Sequence, residues 1–137
     1  MYRYAVWIPI VTASLLVGCS AQTPDAAHSP SVPPEEAGAR IYSGSCAACH
    51  QQDARGIPGV YPSLVGSPTV LGDPRALALW VIRGQRPVSM PSGRYSTHMP
   101  QFGWLTAPDA AALFTYIRSH FGNSAPSVDI ATIEGVL

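Results

Sequence analysis

Two thiols and an imidazole occupy five consecutive positions, Cys46-Ala47-Ala48-Cys49-His50. Cysteines at this spacing can add across the vinyl groups of a porphyrin, and a histidine directly after them can ligate the iron. C-x-x-C-H is the attachment pattern of a c-type haem. A short helical turn sets both sulfurs along one porphyrin edge and brings the next side chain under the metal. Two other chemistries are possible for a cysteine pair. A structural zinc site needs four ligands, and the one remaining cysteine, Cys19, sits at the end of an apolar N-terminal run. A dithiol redox site calls for a strand before the motif and a βαβ pattern after it, and neither is present.

A haem iron has a second axial position. Left open it binds small molecules, whereas a second strong ligand closes it and restricts the protein to passing electrons. The candidates are Met90, His98 and Met99, all in one irregular stretch. An iron-bound imidazole commonly donates its other ring N–H to a backbone carbonyl, which fixes the ring and tunes the metal. Pro62, in Tyr61-Pro62-Ser63-Leu64, is the candidate acceptor. Tyr61, Leu64, Trp80, Phe102 and Trp104 are candidates to line the pocket. Arg75, Arg83, Arg86 and Arg94 are candidate partners for the haem carboxylates or for an acidic protein face, although each one taken alone reads more readily as a solvated charge.

These residues need helices to hold them. Pro34 or Glu35 opens a first helix, with acidic side chains complementing its dipole, and this helix runs through Gly38, Ile41 and Tyr42 into the cysteine motif. A glycine inside a helix costs up to about 1 kcal/mol against alanine, and a close helix crossing would be a reason to keep Gly38. Residues 51–72 lack a sustained period and read as a loop wrapped around the haem. Asp73 caps a second helix, Pro74 occupies its first turn and Gly84 ends it. Thr106 and Asp109 form a capping box for the last helix, Arg118 and His120 fall in its final turn, and Gly122 comes after it. Residues 125–137 read as a disordered tail, with an apolar end that could instead dock on the domain.

The chain of 137 residues supports one domain. Its eight positive side chains are all arginine and are balanced by eight acids, so it offers no basic face for nucleic acid. Arg3 followed by the apolar run Ala5–Val17 has the layout of an export signal, and the run falls short of the roughly twenty residues of a membrane span. Leu16-Val17-Gly18-Cys19 resembles a bacterial lipobox, which is cleaved before a cysteine that is then acylated. Ser20 to Pro34 has the composition of a flexible tether, and His28 within it reads as solvated.

From Glu35 to about Asn123 the chain resembles the class I cytochromes c. The resemblance is carried by Gly38 and Tyr42, the Cys46–His50 motif, Pro62-Ser63-Leu64, a late Met-Pro pair, and Leu113-Phe114-Thr115-Tyr116-Ile117. It implies an all-α class I cytochrome c fold, with three main helices and long loops wrapped around one covalently bound haem c. It also implies thioether links at Cys46 and Cys49, axial ligation by His50 and Met99, and the Pro62 carbonyl bonded to His50. Met90 also precedes a proline and stays a rival to Met99. Gly56-Ile57-Pro58-Gly59-Val60-Tyr61-Pro62-Ser63-Leu64 and Met99-Pro100-Gln101-Phe102-Gly103-Trp104 look like the cytochrome domains of membrane-bound bacterial alcohol and gluconate dehydrogenases. Subunits of that kind carry three haems, and this chain has one C-x-x-C-H.

Bacterial haem c is attached outside the cytoplasmic membrane, which agrees with the export signal. The expected organisation is a lipoprotein signal at 1–18, a tether at 19–34, a cytochrome domain at 35–124 and a tail at 125–137. The expected protein is a periplasmic electron carrier and not an enzyme, held at the membrane through lipidated Cys19. Its donor would be a dehydrogenase and its acceptor a cytochrome or oxidase. The alternative is a haem sensor or peroxidase-like protein with an open iron.

Overall fold

A computed structural model describes residues 32–88, 90, 95 and 97–137. The signal segment, Cys19, His28, the tether up to Ser31 and Arg94 lie outside the described residues. Within them the chain is all-α, with one isolated antiparallel backbone pair, Ile57 and Tyr61, and no sheet. No helix among them is long and apolar enough to cross a membrane.

Helix α1, Pro34–Ile41, begins with proline in its first turn and Glu35 and Glu36 at its positive end. It crosses α5, Ala107–Ser119, at Gly38. A Cβ at position 38 would lie 2.5 Å from the Ala112 carbonyl oxygen and 2.7 Å from Tyr116 Cβ, so only glycine allows the two backbones to approach this closely. The reason for a glycine at 38 is thus a steric one.

Between α1 and α2, Ala47–His50, the chain makes a π-helical turn, Tyr42–Cys46, in which the Ala47 N–H reaches back to the Tyr42 carbonyl. One extra residue in a turn rotates the succeeding residues by about 100° around the axis. Tyr42 is therefore buried with Tyr116 and Phe121, at ring separations of 5.9 and 4.9 Å, while the cysteine motif faces elsewhere.

Residues read as continuous loop contain one short helix, α3, Pro68–Leu71. Four residues are too few to express a helical period, which is why the pattern hid it. Helix α4, Pro74–Arg83, has the expected ends: the Asp73 carboxylate accepts from the Arg75 N–H at 3.0 Å, and Gly84 closes it in the left-handed region at φ 70°. For α5, Asp109 N–H donates to Thr106 Oγ1 at 3.3 Å and the Thr106 hydroxyl donates to Asp109 Oδ2 at 2.7 Å.

The disordered-tail reading of the last residues gives way to an ordered segment. Val128, Ile133 and Val136 are buried in the common core, and α6, Ile130–Glu134, packs on α4 and α5. Asp129 caps α6 through the Thr132 N–H at 2.9 Å. The Arg83 Nε donates to the Val136 carbonyl at 3.1 Å, and the Arg75 head group lies against Gly135. Apolar residues spaced too loosely to mark one helix face still find a groove between two helices.

Candidate haem site

The Cys46–His50 motif opens onto a cavity of about 650 Å³, within the range of small-molecule and cofactor pockets. Cys46, Cys49 and His50 form one part of its wall, Pro62 and Leu64 another, and Leu113, Phe114 and Ile117 of α5 contribute an apolar side. Met90, His98 and Met99 all reach the same cavity.

His50 is 6% exposed, and its Nδ1 lies 2.9 Å from the Pro62 carbonyl oxygen. Burial pushes the pKa of its imidazole below the ordinary value, against the smaller opposite pull of that bond. A neutral ring with Nδ1–H donated to a carbonyl carries its free lone pair on Nε2, the atom a metal requires. The Cys46 thiol is pushed up to about 11 by burial, with Cys49 adding to the effect. The Tyr61 phenol is raised chiefly by its hydrogen bond to Cys49.

Local backbone explains how Pro62 comes to face His50. Gly56, at φ 64°, donates its N–H to the His50 carbonyl at 2.8 Å. A Cβ there would collide with the Tyr61 carbonyl oxygen and lie 2.5 Å from that of Pro62. The turn Ile57–Tyr61 is closed by two backbone bonds of 2.9 and 2.8 Å, and Leu64 N–H returns to Ala54 O at 2.8 Å. Gln51 leaves α2 with φ 65° and ψ 163°, a conformation nearly confined to glycine. It is held by the Tyr42 hydroxyl, which donates to the Gln51 carbonyl at 2.6 Å.

Tyr61, Leu64, Trp80 and Phe102 line the cavity as expected, but Trp104 does not. It is 63% exposed, and its ring meets Phe102 edge-on at 6.2 Å. The Leu105 N–H bonds to the Phe102 carbonyl at 3.0 Å and closes a turn through Gly103 and Trp104, with Phe102 on the cavity and Trp104 in solvent. Among the arginines proposed for the haem carboxylates, Arg86 lines the cavity, whereas Arg75 and Arg83 hold the C-terminal segment. Met99 is half-buried and packs against the core cluster. Met90 reaches the cavity from a turn in which its N–H bonds to the Pro87 carbonyl at 3.0 Å, and His98 is exposed at the rim.

Two side chains brace this wall, Asn123, which has no role expected from sequence, and Arg118, which is expected only as a helix-end charge. Asn123, buried, accepts from the Gly66 N–H at 2.8 Å and donates to Leu64 O at 3.2 Å and Ile117 O at 2.8 Å. Arg118 lies in the last turn of α5 as expected, and it is also buried. Its guanidinium donates to Val70 O at 2.6 Å, Gly72 O at 2.9 Å and Pro126 O at 3.0 Å. An Asn directly after the closing Gly122 was the available signal for the first, and Arg118 followed the apolar run Leu113–Ile117 without one for the second.

The site suits a c-type haem. Two sulfurs one turn apart and an imidazole with Nε2 free share a largely apolar cavity, and the one formally charged lining residue among the described residues, Arg86, matches a group whose only charges are carboxylates. Residues 35–121 match the cytochrome c family. The chain belongs to the cytochrome c family. It is similar to the fructose dehydrogenase cytochrome subunit of Gluconobacter japonicus, 35% identical over 107 residues that cover 72% of this chain and 21% of that one. The gluconate 2-dehydrogenase cytochrome c subunit of Pantoea cypripedii is 30% identical over 106 residues, 72% of this chain and 24% of that subunit. Cytochrome c-552 of Thermus thermophilus is 33% identical over 92 residues, 64% of this chain and 70% of that protein. This cytochrome thus spans about a fifth to a quarter of the dehydrogenase subunits, and most of the small cytochrome. The fold is that of a class I cytochrome c, and membership brings a general electron-transfer role.

Proposed function

We propose that this cytochrome is a single-electron carrier in which Cys46 and Cys49 hold haem c through thioethers and His50 and Met99 are its axial ligands. The observation that carries the reading is the His50 Nδ1–Pro62 bond of 2.9 Å on a cavity that also receives the half-buried Met99. Bound there, the haem supplies an iron that alternates between ferric and ferrous states. Cys46 and Cys49 would hold the haem through thioether links. Pro62 orients His50, and the apolar wall from Leu113, Phe114 and Ile117 excludes water and favours the less charged ferrous form, which raises the potential.

The domain spans 35–124, followed by a C-terminal segment at 125–137, and a tether at 19–34 joins it to a lipid on Cys19 after removal of the signal at 1–18. Its compartment is the periplasm, its donor a dehydrogenase, and its acceptor a respiratory cytochrome or oxidase. The dehydrogenase relatives and the lipobox-like Leu16-Val17-Gly18-Cys19 support that placement. In the oxidised holoprotein a sulfur-to-iron charge-transfer band is expected, lost in Met99→Ala and kept in Met90→Ala. The opposite pattern moves the ligand to Met90. Rapid carbon monoxide binding by the native ferrous protein would replace the carrier by a protein with an open iron.

A further inference from the structure

Two segments that border the cavity bear no formal charge, and Arg86, between them in sequence, is the charged lining side chain among the described residues. From Gly56 to Gly72 and from Tyr95 to Pro108 there is no Asp, Glu, Lys or Arg, in a chain that has no lysine at all. Charged side chains gather elsewhere: Glu35, Glu36 and Arg40 on α1, the Asp53–Arg55 pair, Asp129 and Glu134 around α6. On the neutral loops stand exposed apolar side chains, Ile57, Val60, Tyr95 and Trp104. The Thr97 hydroxyl donates to the Val60 carbonyl at 2.6 Å, tying the turn at Ile57–Tyr61 to the segment that carries Met99. Trp104, at 63% exposure, touches cavity-lining Phe102 at a ring separation of 6.2 Å, so it stands one aromatic ring from the cavity.

A large apolar side chain left in water beside a functional cavity marks an interaction site, and tryptophan is the residue type most enriched among energetic anchors of protein interfaces. A charged partner face brought against these loops would lose its hydration and find no opposite charge in return. We propose that this border, anchored by Trp104, is where a protein redox partner docks, and that the partner's docking face is uncharged and apolar. The proposal rests on the carrier reading above.

The test uses the holoprotein and takes a second copy of it as the probe, because each copy presents the same neutral face to the other. Electron self-exchange between ferrous and ferric copies is measured by NMR line broadening, with oxidation by hexacyanoferrate as a control that needs no docking face. Self-exchange in the native protein should change little with added salt. Trp104→Ala should slow it by about tenfold or more. Val60→Glu should slow it by about tenfold at low salt and recover as salt screens the introduced charges. Glu134→Gln, on α6, should leave it as it was, and all three variants should keep the native spectrum and potential. A native rate that moves strongly with salt, or a Trp104→Ala rate equal to the native one, overturns the proposal. A ferrous protein that binds carbon monoxide rapidly and reacts slowly with hexacyanoferrate overturns the carrier reading instead.

Discussion

Replacing Gly56 by alanine tests whether the backbone behind Pro62 controls the iron ligand. Gly56 and Gly59 both lie in the left-handed region, at φ 64° and 76°, but their surroundings differ. Around Gly59 nothing lies within 4 Å of an added Cβ, whereas at Gly56 the Cβ would sit 2.5 Å from the Pro62 carbonyl oxygen, a contact that must open beyond 3.0 Å. Gly59→Ala therefore incurs only the left-handed penalty of about 1–2 kcal/mol, offset in part by a stiffer unfolded chain. Gly56→Ala shares both contributions and adds roughly 1–3 kcal/mol for overpacking against backbone that cannot rotate away. The difference between the two variants in chemical denaturation isolates the steric part.

The electronic consequence has a sign. Displacing the Pro62 carbonyl weakens the bond from His50 Nδ1–H, and a less strongly bonded imidazole is a poorer donor to the metal. The ferric form loses more than the ferrous form, and the midpoint potential rises. If the bond contributes about 0.5–1.4 kcal/mol differently to the two oxidation states, the shift is about 20–60 mV for a one-electron couple. Protein-film voltammetry of both variants should find the rise in Gly56→Ala alone. Equal stabilities and equal potentials for the two would refute the claim that Gly56 positions Pro62 and, through it, His50.

Other expectations concern the frame. Gly38→Ala should destabilise by about 1–3 kcal/mol in urea despite alanine's better helix propensity, because the Ala112 carbonyl and Tyr116 Cβ sit on a helix that has no room to move away. Ending the chain at Ser124 removes buried Val128, Ile133 and Val136 and the Pro126 carbonyl bonded to Arg118, so the thermal midpoint should fall by several degrees or more; a free tail would leave it unchanged. The Asp129 carboxyl is held below its ordinary range by its hydrogen bonds to Thr132. A depressed acid stabilises above its unfolded value and stops doing so as pH falls through the folded one. Protection of the Thr132 N–H, taken relative to its intrinsic exchange rate, should persist through the ordinary carboxylate range and be lost only at more acidic pH, and in Asp129→Ala it should already be low at neutral pH.

The features legible in the sequence were local. The caps at Asp73 and Thr106 and the stop at Gly84 each depend on residues that are neighbours or nearly so, and chemistry over short separations leaves a pattern in one stretch of chain. The braces were not legible because their partners are far apart. Arg118 bonds to carbonyls 46 and 48 residues earlier, and Asn123 to groups 57 and 59 residues earlier. A carbonyl is present at every residue, so the acceptor side of such a bond has no sequence signature, and the donor looks like any arginine or asparagine at a helix end. Trp104 was hidden for a related reason. Its aromatic character and its place beside Phe102 suggested the cavity, but whether a side chain points in or out is decided by the turn at Gly103, whose direction comes from packing that the local sequence does not encode.

Energetically, too, local and distant groups divide the work. The proposed haem ligands are concentrated in α2 and one loop, while the carbonyls left free by the loops at 64–72 are taken up by α5 and the turn after it. An irregular wall can be this long only if its backbone groups are satisfied from outside, and Arg118 and Asn123 do so with five donated or accepted bonds to loop and helix backbone at Leu64, Gly66, Val70, Gly72 and Ile117. Loss of either side chain should therefore loosen the cavity wall before it unfolds α5, and the proposed iron ligands would feel the change through Leu64 and Pro62 rather than through the cysteines.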